Sequence, residues 1–323
     1  MGNILVTGSS GFLGSSIVEM ALKGGYSVIG VDKIFPKVLP SGKFKFMHLD
    51  INQLEFEVIP RQDFVIHAAS SLPYGNSTRD FIANNVKTAT AVAKFTKLNC
   101  TFLVEIGSSS VYGRPREVPV NRNTPLSPID DYAKSKLRAE IEIGSILDNV
   151  SYSVIRPRTI LGVGRAGIFD IFFGLVKKGY PLPLPNSGRQ IIQFVHVQDL
   201  ARLSLYLGKN KIPGIWPAAS PNPKKLKAYL SDLSMKFNIP IRYVPINSTL
   251  FTKFGTIMSH LKITKFTPWH FGAFPHHNFV DSNWVPKDFK YEFTCQEAFN
   301  ETYSSGKSSY RIIPESLRIG MLI

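Results

Sequence analysis

The chain reads as an α/β protein: a doubly wound parallel sheet with a smaller lobe after it. Three observations carry that reading. Short, near-continuous apolar strands alternate with helical patterns through the first half of the 323 residues. The first of these strands runs straight into three evenly spaced glycines. The second half loses the alternation and becomes richer in proline and aromatic residues. Apolar strands separated by helices indicate a parallel sheet covered on both faces, with right-handed crossovers.

Ile4, Leu5 and Val6 mark a buried strand over Asn3–Thr7. It leads into Gly8, Gly11 and Gly14, spaced G-x-x-G-x-x-G, and then a helix over Leu13–Lys23. Such a junction binds pyrophosphate. Gly8 allows the turn, Gly11 lets backbone N–H groups approach phosphate, and Gly14 lets helix and strand pack closely, with the anion at the helix N-terminus. The second strand, Tyr26–Val31, ends in Asp32, placed for an adenosine ribose hydroxyl. Further strands are expected at Phe44–His48, Phe64–His67, Phe102–Ile106 and Tyr152–Ile155, with helices at Arg79–Leu98 and Tyr132–Leu147. Residues 1–164 form the dinucleotide-binding domain in this reading. Residues 165–323 form a substrate lobe, partly interleaved with it, and Ile191–Val197 is a strand returning to the main body. There is no internal repeat or low-complexity linker.

Composition excludes several classes. Two cysteines, Cys100 and Cys295, make no disulfide framework and fit a reducing cytoplasm. With the first strand starting at Asn3, no signal peptide is expected. Gly2 does not suit myristoylation, because position 6 is Val6. No apolar stretch is long enough to span a bilayer, so no integral membrane segment is expected. The net charge is +15, of which residues 165–323 carry +11. That suits an anionic substrate or surface. No aromatic-interleaved basic run marks a nucleic-acid site, so no nucleic-acid partner is expected. His270, His276 and His277 lie close in sequence, but the cysteine partners and ligand spacings of a zinc site are missing, so no metal is expected.

The chemistry is carried by Tyr132-Ala-Lys-Ser-Lys136, at the start of a helical pattern. Positions four apart share a helix face, so the Tyr132 phenol and Lys136 ammonium come together. A free phenol titrates near pKa ~10, and a neighbouring cation favours its ionised form. Lys136 is also placed to hold the nicotinamide ribose. Upstream, Ile106-Gly-Ser-Ser-Ser-Val-Tyr-Gly113 leaves hydroxyls at the carboxyl edge of the sheet, where open α/β sheets bind ligands.

These pieces, in order, resemble the extended short-chain dehydrogenase/reductases, of the NAD-dependent epimerase/dehydratase group, with a Rossmann-like fold. The matching segments are Thr7–Gly14, Asp32, His48–Ile51, His67–Ala69, Asn84–Val86, Ser108–Gly113, Tyr132–Lys136, Arg156-Pro157 and Phe194–Asp199. The resemblance covers residues 3–205 well and the rest loosely. It implies a catalytic set of Ser108, Tyr132 and Lys136, with Ser109 and Ser110 as fallback serines. It implies NAD held by Gly8, Ser10, Gly11, Phe12, Leu13, Gly14 and Asp32, with Asp50 and Ile51 bordering the adenine. Ala68, Ala69, Pro157 and Lys136 line the cofactor, and Asn85 supports the nicotinamide end. Asp32 favours NAD over NADP, and Lys33 softens that preference.

The resemblance also prunes reactions. The group's sugar dehydratases carry an acidic pair where this chain has serines, and its 3,5-epimerase/reductases carry a cysteine beside the tyrosine, absent here. That leaves hydride removal and return through a transient ketone, as in a nucleotide-sugar epimerase. The alternatives are an NAD(P)-dependent ketone reductase or alcohol dehydrogenase for a hydrophobic substrate, and a non-catalytic dinucleotide-binding protein. UDP-galactose 4-epimerase-like members carry an Arg where this chain has Ile192 and an Asn where it has Thr159. The expected substrate contacts are Ser109, Arg158, Thr159, Arg165 and Arg189, the arginines meeting phosphate. The aromatic cluster from Trp269 to Trp284 keeps the hydrophobic alternative open. The expected partner is a small molecule, a nucleoside-diphosphate sugar; a homodimer stays open.

Overall fold

The computed structural model describes residues 2–36, 42–53, 59–72, 77–99, 101–165, 168–261 and 268–305. The first half contains β1 (Asn3–Thr7), α1 (Phe12–Lys23), β2 (Ser27–Asp32), β3 (Phe44–His48) and β4 (Phe64–His67). A helical rod follows: α2 (Thr78–Phe81), a π-helical stretch (Ile82–Lys87) and α3 (Thr88–Leu98). Then come β5 (Phe102–Ile106), α4 (Asp131–Leu147) and β6 (Tyr152–Pro157). The second half holds β7 (Thr159–Leu161), α5 (Ile168–Lys177), β8 (Leu182–Pro185), β9 (Ile191–Ile192), β10 (Phe194–His196), α6 (Val197–Asn210) and β11 (Gly214–Ala218). It closes with β12 (Lys224–Lys225), α7 (Leu226–Phe237), β13 (Tyr243–Ile246), α8 (Ser248–His260), α9 (Pro268–Ala273) and α10 (Cys295–Ser305).

Seven strands make one parallel sheet in the order β11-β6-β5-β4-β1-β2-β3. Strand side chains alternate between faces. Ile4, Val6, Phe64, Ile66 and Val104 therefore pack with Ile17 of α1 and Leu200, Leu203 and Leu207 of α6. Leu5, Val65 and Leu103 pack on the other face with Val92 and Phe95 of α3 and Ile143 and Leu147 of α4. Each such buried side chain contributes about 1.5–3 kcal/mol. Chain order reverses between β1 and β4, the switch point where doubly wound sheets bind ligands at the strands' carboxyl ends. A separate cluster builds the lobe: Phe173, Leu182, Leu184, Phe194, Tyr229, Phe299 and Tyr303.

One expectation needs correction. Ile191–Val197 is not one strand of the main sheet. It divides into β9, paired antiparallel with β12, and β10, paired parallel with β7. Gln193 stands between them, fully buried, and its amide bonds Ser220 O, Ser282 Oγ and the Val280 N–H, so the chain cannot run on as one ladder. The strand that rejoins the sheet is β11, a Gly-Ile-Trp-Pro-Ala run that is not among the strands expected from the sequence. β11 is an edge strand with one neighbour, β6, and there a proline without an N–H is tolerated.

Candidate active site

All seven parallel strands end on one edge, and the sequence-predicted residues gather there. Gly8 follows β1 with φ +70°, the left-handed region. A Cβ at Gly8 would lie 2.5 Å from the Ala69 backbone nitrogen, and one at Gly14 only 1.9 Å from Gly8 O. These two glycines thus let the loops after β1 and β4 and the first turn of α1 close on one another. Gly11 caps α1 without a side chain, so no capping group competes for the first-turn N–H groups. An uncapped, positively polarised helix end is the place for a pyrophosphate.

At the end of β2, Asp32 accepts from the backbone N–H groups of Ser10 (2.9 Å) and Ile34 (3.0 Å). The carboxylate is thereby fixed beside the glycine loop. Lys33 turns away from it: its ammonium pairs with Asp50 at 2.8 Å and donates to Asn84 Oδ1 at 3.1 Å. Burial acts to raise the Asp50 carboxyl, but the Lys33 bond and the Asn52 N–H outweigh it and hold the group low. Ile51 is buried beside it.

Asn85 is buried within the π-helical stretch. Its Oδ1 accepts from Ser71 N (2.8 Å) and Ser70 Oγ (3.2 Å), and its Nδ2 donates to Ser135 Oγ at 2.8 Å. It ties the loop after β4 to α4. α4 is capped by Asp130, whose carboxylate accepts from Ala133 N at 2.7 Å. Tyr132 lies in the first turn of this helix, half-buried, edge-on to Phe81 at 5.8 Å. One turn on, Lys136 is buried and donates to Ile106 O at 2.9 Å. The Ile106 carbonyl is the last of β5, so the lysine is pinned under the serine turn.

Ser108 caps the 3₁₀ turn that leaves β5. Of the three serines it alone is only half-buried; Ser109 and Ser110 are buried. Ser108 Oγ accepts from Ser110 Oγ (2.9 Å) and Ser110 N (3.2 Å), which leaves its own proton to donate outward. Ser109 Oγ accepts from Arg158 Nη1 at 3.1 Å. Arg158 is 8 % exposed, its Nε has no partner among the described residues, and burial pulls its guanidinium down to about 10. Pro157, buried, and Thr159, half-buried, flank it at the end of β6 and the start of β7.

The other two arginines lie apart from these serines. Arg165 sits over the Phe12 ring at 5.3 Å, next to the glycine loop. Arg189 is exposed and lines a cleft of about 370 Å³ with Asn186, Ser187, Gln190 and His277. Gln190 is buried with both amide atoms unpartnered among the described residues. His277 Nδ1 accepts from Ile191 N at 3.2 Å; the side chains of His270 and Trp269 lie outside the described residues, as does Cys100. Another cleft, between Asp148–Tyr152 and Pro213–Ile215, is at the amino ends of β6 and β11, away from this edge.

Sequence reasoning missed the charged layer beneath the site. Glu105, in the middle of β5, is 1 % exposed and 3.9 Å from Lys136 Nζ. Burial raises its carboxyl to about 8, against the pull of Lys136. Burial likewise lowers Lys136, with Glu105 and Glu140 opposing. Glu140 takes a forked bond from Arg156 (Nη2 at 2.6 Å), whose Nη1 donates to Tyr112 Oη at 2.9 Å. His67 meets Thr7 Oγ1 at 2.6 Å, and burial, helped by Lys136, pulls its ring down to about 3, so it stays neutral. The signal was present: Glu105 is the one charge in an apolar strand.

Residues 4–216 match the model of the NAD dependent epimerase/dehydratase family. An uncharacterized protein of Sinorhizobium fredii is 30% identical over 211 residues, 61% of this chain, and the chain spans only 51% of that relative's length. The UDP-glucose 4-epimerase of Mycolicibacterium smegmatis is 27% identical over 223 residues, 61% of this chain and 70% of the relative. The crystal structure of UDP-glucuronic acid 4-epimerase from Bacillus cereus in complex with NAD superposes with a TM-score of 0.74 at 18% identity, covering 94% of this chain and 98% of that one. At that identity the likeness establishes the fold. No helix among the described residues is long and apolar enough to cross a membrane.

Proposed function

This chain belongs to the NAD-dependent epimerase/dehydratase family, and from that premise we propose that it epimerises a nucleoside-diphosphate sugar at a ring hydroxyl. The observation that carries this reading is the serine turn after β5. It presents the outward Ser108 hydroxyl at the same sheet edge as the α4 turn that holds Tyr132 over the buried Lys136. No carboxylate stands in that turn to drive loss of water.

NAD fits the residues present. The glycine cradle and the uncapped α1 terminus, with Ser10, Phe12 and Leu13, would hold the pyrophosphate. Asp32 would take the adenosine ribose, and Asp50 and Ile51 would border the adenine. Ala68, Ala69, Asn85, Pro157 and Lys136 would line the nicotinamide side. When bound, NAD supplies a hydride acceptor that can also return the hydride to the opposite face. Tyr132, as phenolate, takes the proton of the sugar hydroxyl as that carbon gives up its hydride, and gives it back to the same oxygen when the hydride returns and the hydroxyl is re-formed. Ser108 donates to that oxygen and holds it in place. Lys136 favours the phenolate by its charge. Arg158, Ser109 and Thr159 meet the sugar end, Arg165 the phosphates, and the Arg189 cleft the nucleotide end.

NAD is preferred over NADP in this reading, because a carboxylate at Asp32 repels a 2′-phosphate and Asp50 already occupies the Lys33 cation. Of the Trp269–Trp284 cluster, Phe271 and Phe274 pack on Phe251 of α8 and Trp284 lies under Arg122, while Phe173, Phe194, Tyr229 and Phe299 fill the lobe core; this packing weighs against the ketone-reductase alternative. Residues 1–164 and 165–323 remain the working division, with α6 and β11 returned to the first unit. A cytoplasmic homodimer completes the proposal, supported by the exposed Leu98 of α3 and Ile141 of α4. The test is the cofactor on the purified protein, with a thermal-shift panel of UDP-, GDP-, CDP- and dTDP-sugars. Tightly held NAD and stabilisation by one nucleotide class are expected. Exchangeable cofactor, no response to any nucleotide and oxidation of a lipophilic alcohol would overturn it.

A further inference from the structure

α8 carries an apolar stripe that none of the described residues covers. Leu250, Phe254, Ile257 and Leu261, at its C-terminal cap, are spaced four, three and four apart. At 100° per residue they fall within about 60° of arc. Their exposures are 62, 64, 56 and 65%. The helix is seated by a different face. Phe251 packs on Phe271 at 5.4 Å and Phe274 at 6.0 Å, and Thr252 Oγ1 donates to Phe271 O. Gly255 sits so close to the Phe271 ring that an added Cβ would overlap it. The stripe therefore points outward as a consequence of how the helix is anchored. The preceding strand β13 adds Tyr243 and Val244, exposed by 38 and 54%.

The sequence on either side of α8 carries charge of one sign. No Asp or Glu occurs anywhere from Leu233 to Val280, while Lys236, Arg242, Lys253, Lys262 and Lys265 do. Arg242 and Lys253 are exposed. Large outward apolar side chains on an amphipathic helix, in a segment whose only formal charges are cations, match the interface of an anionic bilayer. A second copy fits less well. A two-fold contact through this face would oppose the same cations to one another. We infer that the α8 face docks on an anionic lipid surface, with Leu250, Phe254, Ile257 and Leu261 entering the headgroup region and Lys253 and Arg242 meeting lipid phosphate. In this reading the protein is peripheral to the membrane.

The test is cosedimentation of the full chain with two kinds of vesicle, one of phosphatidylcholine alone and one of equal parts phosphatidylcholine and phosphatidylglycerol. Partition into the anionic vesicles is expected to exceed that into neutral ones by about tenfold or more, since each surface cation adds roughly fivefold. Raising the salt should reduce it. The double variant Phe254→Ser/Ile257→Ser alters only exposed side chains. It should keep the wild-type melting temperature by circular dichroism and lose at least about tenfold in partition. Wild-type protein that stays in the supernatant with both vesicles overturns the inference. So does a folded double variant that binds as well as wild type. Dissociation of a wild-type dimer to monomer by the same double variant, seen by light scattering, assigns the face to a second copy instead.

Discussion

Replacing Glu105 by Gln should flatten the pH dependence of stability. Glu105 faces Lys136 and Glu140 on α4 and is in register with His67 on β4. Burial raises its carboxyl from the ordinary 4.5 to about 8. Between those values the folded chain holds a proton at Glu105 that the unfolded chain has released. Stability from this group is thus fully present below about pH 4.5 and is lost as the pH rises through about 8. At about 1.4 kcal/mol per pH unit, partial titration at both ends leaves about 3–4 kcal/mol lost between pH 5 and pH 8. Glu105→Gln keeps the shape and removes the titration, so the variant should gain on the wild type by that amount across the interval. Urea denaturation of both proteins from pH 5 to pH 8.5 measures it. Parallel curves, within about 0.5 kcal/mol, refute the reasoning. The same logic reaches turnover. Ionised Glu105 would oppose the Lys136 charge at 3.9 Å, an interaction of about 4 kcal/mol at an effective dielectric constant of about 20. Above pH 8 the wild type should lose rate that Glu105→Gln retains.

Four other changes test the remaining parts. Tyr132→Phe should lower turnover by about 10²–10⁴-fold while NAD still stabilises the protein in a thermal-shift assay; a near-normal rate removes the tyrosine from the mechanism. Gly14→Ala places a Cβ 1.9 Å from Gly8 O, so α1 must move off the loop and NAD stabilisation should vanish; an unchanged NAD shift contradicts the cradle. Glu140→Ala leaves the Arg156 guanidinium buried without its carboxylate, and should cost about 3–5 kcal/mol in denaturant unfolding; a loss under about 1 kcal/mol shows that solvent reaches the pair. Arg158→Met should raise the melting temperature without ligand and weaken the response to nucleotide sugar. The one hydrogen bond of the arginine's side chain among the described residues is to Ser109. A lower melting temperature with unchanged nucleotide response makes Arg158 structural.

The sheet was legible because its physics is local. Ile4, Val6, Val65 and Leu103 are apolar because both faces of their strands are covered, and the helices between show their own period. The misreading at Ile191–Val197 has a specific cause. Six of its seven residues are apolar or tolerated in strands, and only the tertiary bonds of Gln193 to Ser220, Ser282 and Val280 show that the run is broken. β11 went unassigned. Gly214 and Pro217 are poor strand residues, and only its place at the sheet edge makes them acceptable.

The site was legible where the chain's own covalent spacing sets the geometry. Gly8 to Gly14 run from the turn after β1 into the first turn of α1, and Tyr132 to Lys136 span one turn of α4, so sequence distance is spatial distance. The layer below them is assembled from β4, β5, β6 and α4, and no spacing predicts that His67, Glu105, Glu140 and Arg156 meet. That layer decides how the legible part works. Ionised carboxylates beside a buried lysine support its charge but offset the field that charge exerts on its neighbours. Glu140 is held by the Arg156 fork, so its charge is already answered. Glu105 has no such partner, and its Oε2 bonds nothing among the described residues. Neutralising Glu105 by protonation is the arrangement that leaves the Lys136 ammonium free to act on Tyr132. A negative charge in a strand otherwise built for the core is therefore best understood as a carboxylic acid at neutral pH, and its cost to the fold appears only as the pH rises.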